Sequence, residues 1–273
     1  MLKHCSILAA VIFLSGAASA ADSNVIPQFM FLNGGWLAGG ADFRQPASGP
    51  GPVKDIPGYK RGGNQEGVQA TFRMADLSNP ILQPWVREAL EKVNDKVRSG
   101  RPAYTPQVSC RPHGVPAFLL HPAQPLYFLQ TSEKVVIIWP PNHEVRHIYL
   151  TDKHSANLRP SWSGESIGHY ENGDTLVVDT IGLNDKSFVD NYRTPHTTQL
   201  HVVERFRINP DGQGLTVDVS IEDPGAFTMP WHAVQVYRKQ MPGPMNESNC
   251  AENPNNFFGQ DYDPVPQDDT PDF

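Results

Sequence analysis

Two carboxylates stand on runs of sequence that read as β-strands, among apolar neighbours. In the stretch TLVVDTIG (175–182), Asp179 shares one strand face with Val177 and Ile181, because successive strand side chains alternate between faces. In HVVERFRI (201–208), Glu204 shares a face with apolar residues in the same way. A carboxylate in such a setting costs several kcal/mol unless it is paired, neutralised or hydrated. Each position therefore predicts either a buried ion pair or a functional group.

A histidine precedes the second of these strands and completes a possible acid/base set. His196 lies on the predicted loop that leads into the Glu204 strand, and imidazole exchanges protons near neutral pH. Working with Asp179 or Glu204, His196 would act as general base and acid in a cofactor-independent lyase, isomerase or hydratase reaction. The alternatives are that the His196 ring orders its own loop, and that the carboxylates pair with arginines. The candidate arginines are Arg146, Arg205 and Arg207.

Two further predicted strands carry a polar side chain on a face with apolar residues. His147 shares a face with Tyr149, and Gln235 shares a face with Trp231. Four strands with this pattern predict a mostly apolar pocket that has a few polar contacts, which is the usual composition of a small-molecule site. We therefore expect a small, largely apolar ligand.

The sequence predicts no cofactor and no metal. His143 and His147 would lie roughly 13 Å apart on a strand that rises about 3.3 Å per residue, too far to share one ion. The remaining histidines have no ligand spacing. No Gly-x-Ser-x-Gly motif and no Gly-rich phosphate loop is present, which disfavours nucleophilic catalysis and nucleotide cofactors.

Short runs rich in Val, Ile, Thr and aromatic residues dominate the chain after residue 116 and are separated by turn residues. The predicted strands are 117–120, 126–131, 134–139, 145–151, 166–171, 175–181, 201–208, 215–222 and 232–238. Closing such an antiparallel series removes exposed edges, so the mainly β fold is expected to be a lipocalin-like (calycin-like) barrel. A two-sheet β-sandwich is the alternative. A barrel of about eight strands is wide enough to hold one small ligand.

The chain divides into four segments by composition. Residues 1–20 have a basic start, a short apolar run and small residues before the Ala20–Ala21 junction, which is the pattern of a cleaved export signal. Residues 21–79 are rich in Gly and Pro and predict an irregular arm. Residues 80–250 predict the barrel, preceded by one amphipathic helix with Pro84 in its first turn and Gly100 after its end. Residues 251–273 predict an acidic, disordered tail.

An exported chain has further consequences. The expected location is periplasmic or extracellular, and Cys110 and Cys250 are expected to form a disulfide there, with two buried free thiols as the alternative. No later run approaches about 20 apolar residues, so membrane insertion is not expected. The net charge is −7, but six acids lie from Glu252 onward without Lys or Arg. No basic stripe indicates nucleic-acid binding.

Several motifs in one order carry a family resemblance. They are PAYTPQVSCRPHGVP (102–116), RHIYLTD (146–152), PSWSG (160–164), GHYENGDTLVVDTIGLNDKSF (168–188), TPHTTQLHVVERF (194–206) and IEDPGAFTMPW (221–231). Over roughly residues 80–253 the chain resembles a large group of exported, functionally uncharacterised bacterial proteins. The chain departs from the group's usual motifs at His169-Tyr170 and at Lys153-His154.

The resemblance implies which positions matter, without implying a reaction. The motif residues are Trp162, Asp174, Asp179, Asn184, Asp185, His196, Glu204, Asp223 and Trp231. Of these, Trp162, Asn184, Asp185 and Asp223 join the expected ligand-binding residues. Three functions remain open: an acid/base enzyme, a non-catalytic small-molecule carrier, and a structural or assembly partner in the cell envelope.

Overall fold

Nine β-strands and one α-helix make up the regular structure of the described chain. A computed structural model describes residues 26–31, 34–61, 72–101, 104–106, 110–122, 124–240 and 245. The expected signal (1–20), Cys250 and the expected tail (251–273) lie outside these residues. The strands are β1 (Gly35–Ala38), β2 (Tyr127–Gln130), β3 (Lys134–Trp139), β4 (Glu144–Tyr149), β5 (Glu165–Glu171), β6 (Thr175–Ile181), β7 (His201–Ile208), β8 (Gly214–Glu222) and β9 (Trp231–Gln240).

All nine strands form one sheet that curls into a nearly closed barrel. The strand order is β1-β9-β8-β7-β6-β5-β4-β3-β2. Backbone hydrogen bonds of 2.8 Å in both directions between Trp36 and Leu126 join the two edges. The expected mainly β barrel is therefore confirmed, and the sandwich alternative is excluded.

The predicted irregular arm supplies the strand that brings the two edges together. β1 pairs with β9 through Gly35 to Ala38, and all four of its residues are buried. Glycine is required there, since a Cβ at Gly35 would lie 2.6 Å from the Leu126 carbonyl oxygen. The glycines that permit this approach are also what made the segment look irregular.

One pairing in the sheet is parallel, which the expected antiparallel series did not include. β4 and β5 pair only at Ile148 with Ser166 and at Tyr149 with Ile167. The connecting segment 150–164 must return along the outside of the barrel before β5 begins, because parallel strands need a crossover. The first half of β4 therefore has no ladder with β5.

The predicted strand 117–120 is instead a 3₁₀ turn. All four residues, Ala117–Leu120, are buried. The Leu119 carbonyl oxygen accepts hydrogen bonds from the Tyr237 hydroxyl (2.7 Å) and the Gln235 amide (3.3 Å), both on β9. The turn is thus tethered to the buried face of the barrel wall.

The amphipathic helix α1 (Pro84–Arg98) is confirmed. Val86 and Leu90 are fully buried, and full burial of such side chains contributes about 1.5–3 kcal/mol each. Asn94, also fully buried, exchanges two hydrogen bonds with the Ala75 backbone. Lys96 and Arg98 lie in the last turn, where cations suit the helix dipole.

Candidate functional site

The inward face of the barrel contains a buried ion pair. Arg146 of β4 donates to both carboxylate oxygens of Glu204 of β7, one bond measuring 2.9 Å, and the side chains are 3% and 0% exposed. Arg146 also donates to Ser166 Oγ (3.1 Å) and Thr180 Oγ1 (2.8 Å). The inward position predicted for Glu204 is correct, and its partner is one of the arginines considered in the sequence.

A second group of inward polar side chains contacts the protein itself. Gln235 donates to the backbone carbonyls of Gly40 (3.0 Å) and Leu119. Burial raises the pKa of the Tyr237 hydroxyl well above its ordinary value, so this group stays protonated and donates. Trp231 is fully buried, and its indole Nε1 has no hydrogen-bond partner in the described chain. Gln235 therefore holds the 3₁₀ turn, whereas the Trp231 ring packs edge-on against Phe227, with ring centres 5.6 Å apart.

Asp179 lies on the opposite face of the wall from Glu204. Val178 is the residue paired with Glu204, so Asp179 points outward, and its side chain is 39% exposed. Its Oδ1 is 3.0 Å from His154 Nε2 and 3.1 Å from His201 Nε2. The expectation that Asp179 lines an internal pocket is wrong, because the face of β6 that it shares is the outer one.

Asp179 and Glu165 make hydrogen bonds with the crossover segment, residues 150–164. His154 Nδ1 is 3.0 Å from Glu165 Oε1, and the Ser155 backbone N–H and hydroxyl also donate to Glu165. These bonds, with those from Ser155 as the largest cause, hold the pKa of Glu165 below its ordinary value. Asp179 and Glu165 together anchor segment 150–164 to the sheet.

Replacing Asp179 with asparagine is expected to lower the free energy of unfolding by less than about 1 kcal/mol. The carboxylate and His201 are both more than one-third exposed, and exposed pairs of this kind contribute roughly 0–1 kcal/mol. Urea denaturation of the wild type and Asp179→Asn measures the difference. A loss above about 2 kcal/mol would contradict this peripheral role.

His196 is buried in the loop between β6 and β7. Its Nδ1 lies 3.0 Å from the Thr197 carbonyl oxygen, and its Nε2 lies 2.9 Å from Ser187 Oγ. A carbonyl only accepts, so Nδ1 carries the proton and Nε2 accepts from the Ser187 hydroxyl. Burial lowers the pKa of His196, which keeps the ring neutral. Ser187 was missed in the sequence, since no motif links it to His196 nine residues later.

The hydrogen bonds and ion pairs separate the three residues predicted to act together. Among the described residues, Glu204 contacts Arg146, Asp179 contacts two histidines, and His196 contacts Ser187 and Thr197. No hydrogen bond joins any two of the three predicted catalytic side chains in this part of the chain. The geometry therefore gives no common acid/base site, and a catalytic role for any of them stays a prediction.

Two of the remaining predicted ligand residues, Asp223 and Asn184, accept hydrogen bonds from this loop. Asp223 is buried and accepts from the Thr197 backbone N–H (2.6 Å) and hydroxyl (2.7 Å). Asn184 Oδ1 accepts from the Lys186 backbone N–H (3.1 Å). Asp185 is exposed. Trp162 is half-buried, with the Arg111 guanidinium 6.0 Å from its ring centre.

His147 and Tyr149 face outward, which corrects their expected place inside the barrel. Along β4 the buried residues are Glu144, Arg146 and Ile148, and the exposed ones alternate with them. The apolar residues of β4 are divided between its two faces, so periodicity did not decide which face is inside. Pairing with Glu204 places Arg146 inside and His147 outside.

The outward residues of β4 nevertheless line a cleft. A cleft of about 400 Å³ lies where β4 and β5 separate, beneath the crossover segment. It is lined by Val145, His147, Tyr149, Asn157, Leu158, Arg159, Ser163, Gly164, Glu165 and Ser166. Its volume falls within the roughly 300–1,000 Å³ that is usual for small-molecule sites.

Two kinds of residue in the cleft were missed in the sequence. Ser166 is the buried lining residue, and its hydroxyl connects the cleft to the internal Arg146–Glu204 pair through Arg146. Asn157 and Arg159 come from the crossover segment, which has no periodic pattern. The signal that could have identified this segment is the length of the connection between 151 and 165.

Comparisons with protein-family models, with curated proteins and with solved structures found no match. In the described ranges, no helix has the length and apolar content needed to cross a membrane. Among the same residues, no group of three or more His, Cys, Asp or Glu side chains is arranged to hold a metal ion. The predicted disulfide between Cys110 and Cys250 remains a prediction, since Cys250 lies outside the described residues.

Proposed function

We propose that this β-barrel protein binds a small, largely apolar molecule in the cleft between β4 and β5. The cleft itself is the observation that supports this function: it has the volume of a ligand site and is open at the surface. Val145 and Tyr149 are 44% and 48% exposed within it. A ligand that covers them removes apolar area from water, which is the main driving force for binding such a molecule.

The position of the cleft differs from the position expected from sequence, but its chemistry agrees. His147 and Tyr149 were expected from the sequence to bind the ligand, and they also line the cleft. Their rings lie roughly parallel, with centres 6.3 Å apart. Leu158 adds a second apolar wall, from the crossover segment. The site thus combines apolar and aromatic surface with a few polar groups, as small-molecule sites usually do.

Binding without catalysis is the form of this function that the contacts favour. The inward acid Glu204 is committed to Arg146, and the neutral His196 is committed to Ser187 and Thr197. Neither His196 nor Glu204 is among the residues that line the cleft. We therefore favour a carrier or binding protein over a lyase, isomerase or hydratase.

An exported location completes the proposal. It is supported by the signal-like residues 1–20 and by the likeness of motifs such as GDTLVVDT (173–180) to exported bacterial proteins. Sequencing the N-terminus of the protein recovered from the periplasm or medium tests the cleavage after Ala20. Recovery of the full chain in the cytoplasm alone would reject this part of the proposal.

Replacing Tyr149 with alanine is expected to weaken binding of a neutral aromatic probe about 10-fold. N-phenyl-1-naphthylamine is a suitable probe, because it fluoresces in apolar surroundings and carries no charge at neutral pH. Loss of one well-placed aromatic contact corresponds to roughly 1–1.5 kcal/mol, and 1.4 kcal/mol is tenfold in affinity. Fluorescence titration of the wild type and Tyr149→Ala gives the two dissociation constants.

The matched control is Leu129→Ala. Leu129 is 47% exposed on the outer face of β2, close to the 48% of Tyr149, but it does not line the cleft. We expect the control to bind the probe as the wild type does. Absence of probe binding to the wild type, or an equal loss in both variants, would reject the cleft as the binding site.

A further inference from the structure

The two charged side chains that line the cleft, Glu165 and Arg159, differ in whether they already make hydrogen bonds. Glu165 accepts at both carboxylate oxygens, from His154 and Ser155. Arg159, by contrast, is exposed in the cleft and has no hydrogen bond or ion pair with any described residue. The internal Arg146 is neutralised by Glu204. Arg159 therefore presents N–H donors that no described residue uses, whereas the oxygens of the negatively charged Glu165 already accept hydrogen bonds.

Two neutral donors also line the cleft. The Asn157 amide and the Ser163 hydroxyl make no side-chain hydrogen bond within the described chain, and both line the cleft with Arg159. A guanidinium presents a planar fork of N–H donors that matches the two oxygens of a carboxylate or sulfonate. The lining thus supplies donors on the crossover segment and apolar surface on β4.

The geometry points to an organic anion as the ligand: a planar, apolar body on Val145 and Tyr149, with an acidic head group bound by Arg159. This inference rests on the proposed function and specifies its ligand class. An apolar molecule without a charged group would leave the Arg159 donors to water. A fully polar anion would leave the β4 surface uncovered. A molecule with both parts uses both sides of the cleft.

A pair of probes that differ only in the head group tests the ligand class. N-phenyl-1-naphthylamine is neutral, and 8-anilinonaphthalene-1-sulfonate is the same ring system with one sulfonate. We expect the wild type to bind the sulfonate about 10-fold more tightly than the neutral probe, since charge-assisted hydrogen bonds are the stronger ones. The advantage should decrease as salt concentration rises, because the cleft is open to solvent.

Arg159→Gln is expected to remove the roughly 10-fold advantage of the sulfonate over the neutral probe, measured as the ratio of the two dissociation constants in the variant. Arg238→Gln is the matched control: Arg238 is exposed on the outer face of β9, four strands from β5, and should keep the wild-type preference. Equal affinities of the wild type for the two probes would overturn the inference. So would a preference for the sulfonate that persists in Arg159→Gln.

The failure of this inference differs visibly from failure of the proposed function. If only the ligand class is wrong, the neutral probe still binds and still depends on Tyr149. If the cleft is not a binding site, Tyr149→Ala changes the affinity for neither probe, and both the proposed function and this inference are rejected. Far-UV circular dichroism and urea midpoints of each variant confirm that the fold is intact, as expected for exposed positions.

Discussion

Glu204→Gln is expected to lower the free energy of unfolding by about 3–5 kcal/mol. The glutamine keeps the size and one acceptor oxygen of the side chain, but it removes the negative charge that Arg146 faces. Arg146 is 3% exposed, and Glu204 is its salt-bridge partner among the described residues. Breaking a buried pair by removing one partner leaves an uncompensated charge, which costs this much in other proteins. Urea denaturation at neutral pH measures the change.

A double variant distinguishes the loss of the pair from the loss of volume. Arg146→Met combined with Glu204→Leu removes both charges and keeps much of the apolar bulk, so it should recover most of the stability. The Phe118 ring, 5.0 Å from the Arg146 guanidinium, would then pack against a thioether. If Glu204→Gln costs less than about 1 kcal/mol, or the double variant is the less stable of the two, the pair does not have this role.

The contrast with Asp179 shows what the sequence could and could not predict about these acids. Asp179 and Glu204 both lie on strands among apolar neighbours. The alternation of strand side chains correctly predicts which residues of the same strand share a face with each acid. Which face is inside depends on neighbours that are distant in sequence. Val178, not Asp179, is opposite Glu204, so only one of the two acids can point inward.

The strand boundaries were predictable for a different reason. From β3 to β9 the runs of Val, Ile, Thr and aromatics end at turn residues, and their observed limits differ from the predicted ones by at most two residues. β1 was missed because four glycines surround Trp36 and Leu37. The turn at 117–120 was read as a strand because a short apolar run does not reveal its backbone conformation.

The 3₁₀ turn also explains why the internal polar residues are engaged with the protein itself. Gln235 and Tyr237 both donate to Leu119, and Phe118 covers the Arg146 guanidinium. Sequence alone indicated polar groups on a buried face but could not show that residues far upstream contact them. The surface cleft depends equally on a long-range event, the crossover that brings Arg159 to β4.

Asp190→Asn is expected to change how stability depends on pH. Asp190 is buried in the loop after β6, and burial raises its pKa from 3.8 to about 6 against the opposing effect of hydrogen bonds from Thr194 and Tyr192. Between these values the folded chain holds a proton that the unfolded chain has released. The contribution of Asp190 to the free energy of unfolding is therefore fully present below about pH 4 and is lost as pH rises through about 6. Two pKa units correspond to about 3 kcal/mol.

Asparagine suits this position because it preserves the local hydrogen bonds without ionising. Its Oδ1 can accept from the Tyr192 and Thr194 N–H groups, as Asp190 Oδ1 does at 2.9 and 3.1 Å, and its amide can donate to the Thr194 hydroxyl. Urea unfolding at pH 4, 5, 6 and 7 should show Asp190→Asn gaining up to about 3 kcal/mol on the wild type as pH rises. Asp152→Asn, at an exposed position, should run parallel to the wild type. Parallel profiles for Asp190→Asn as well would mean that burial does not hold the proton on Asp190 in the folded chain.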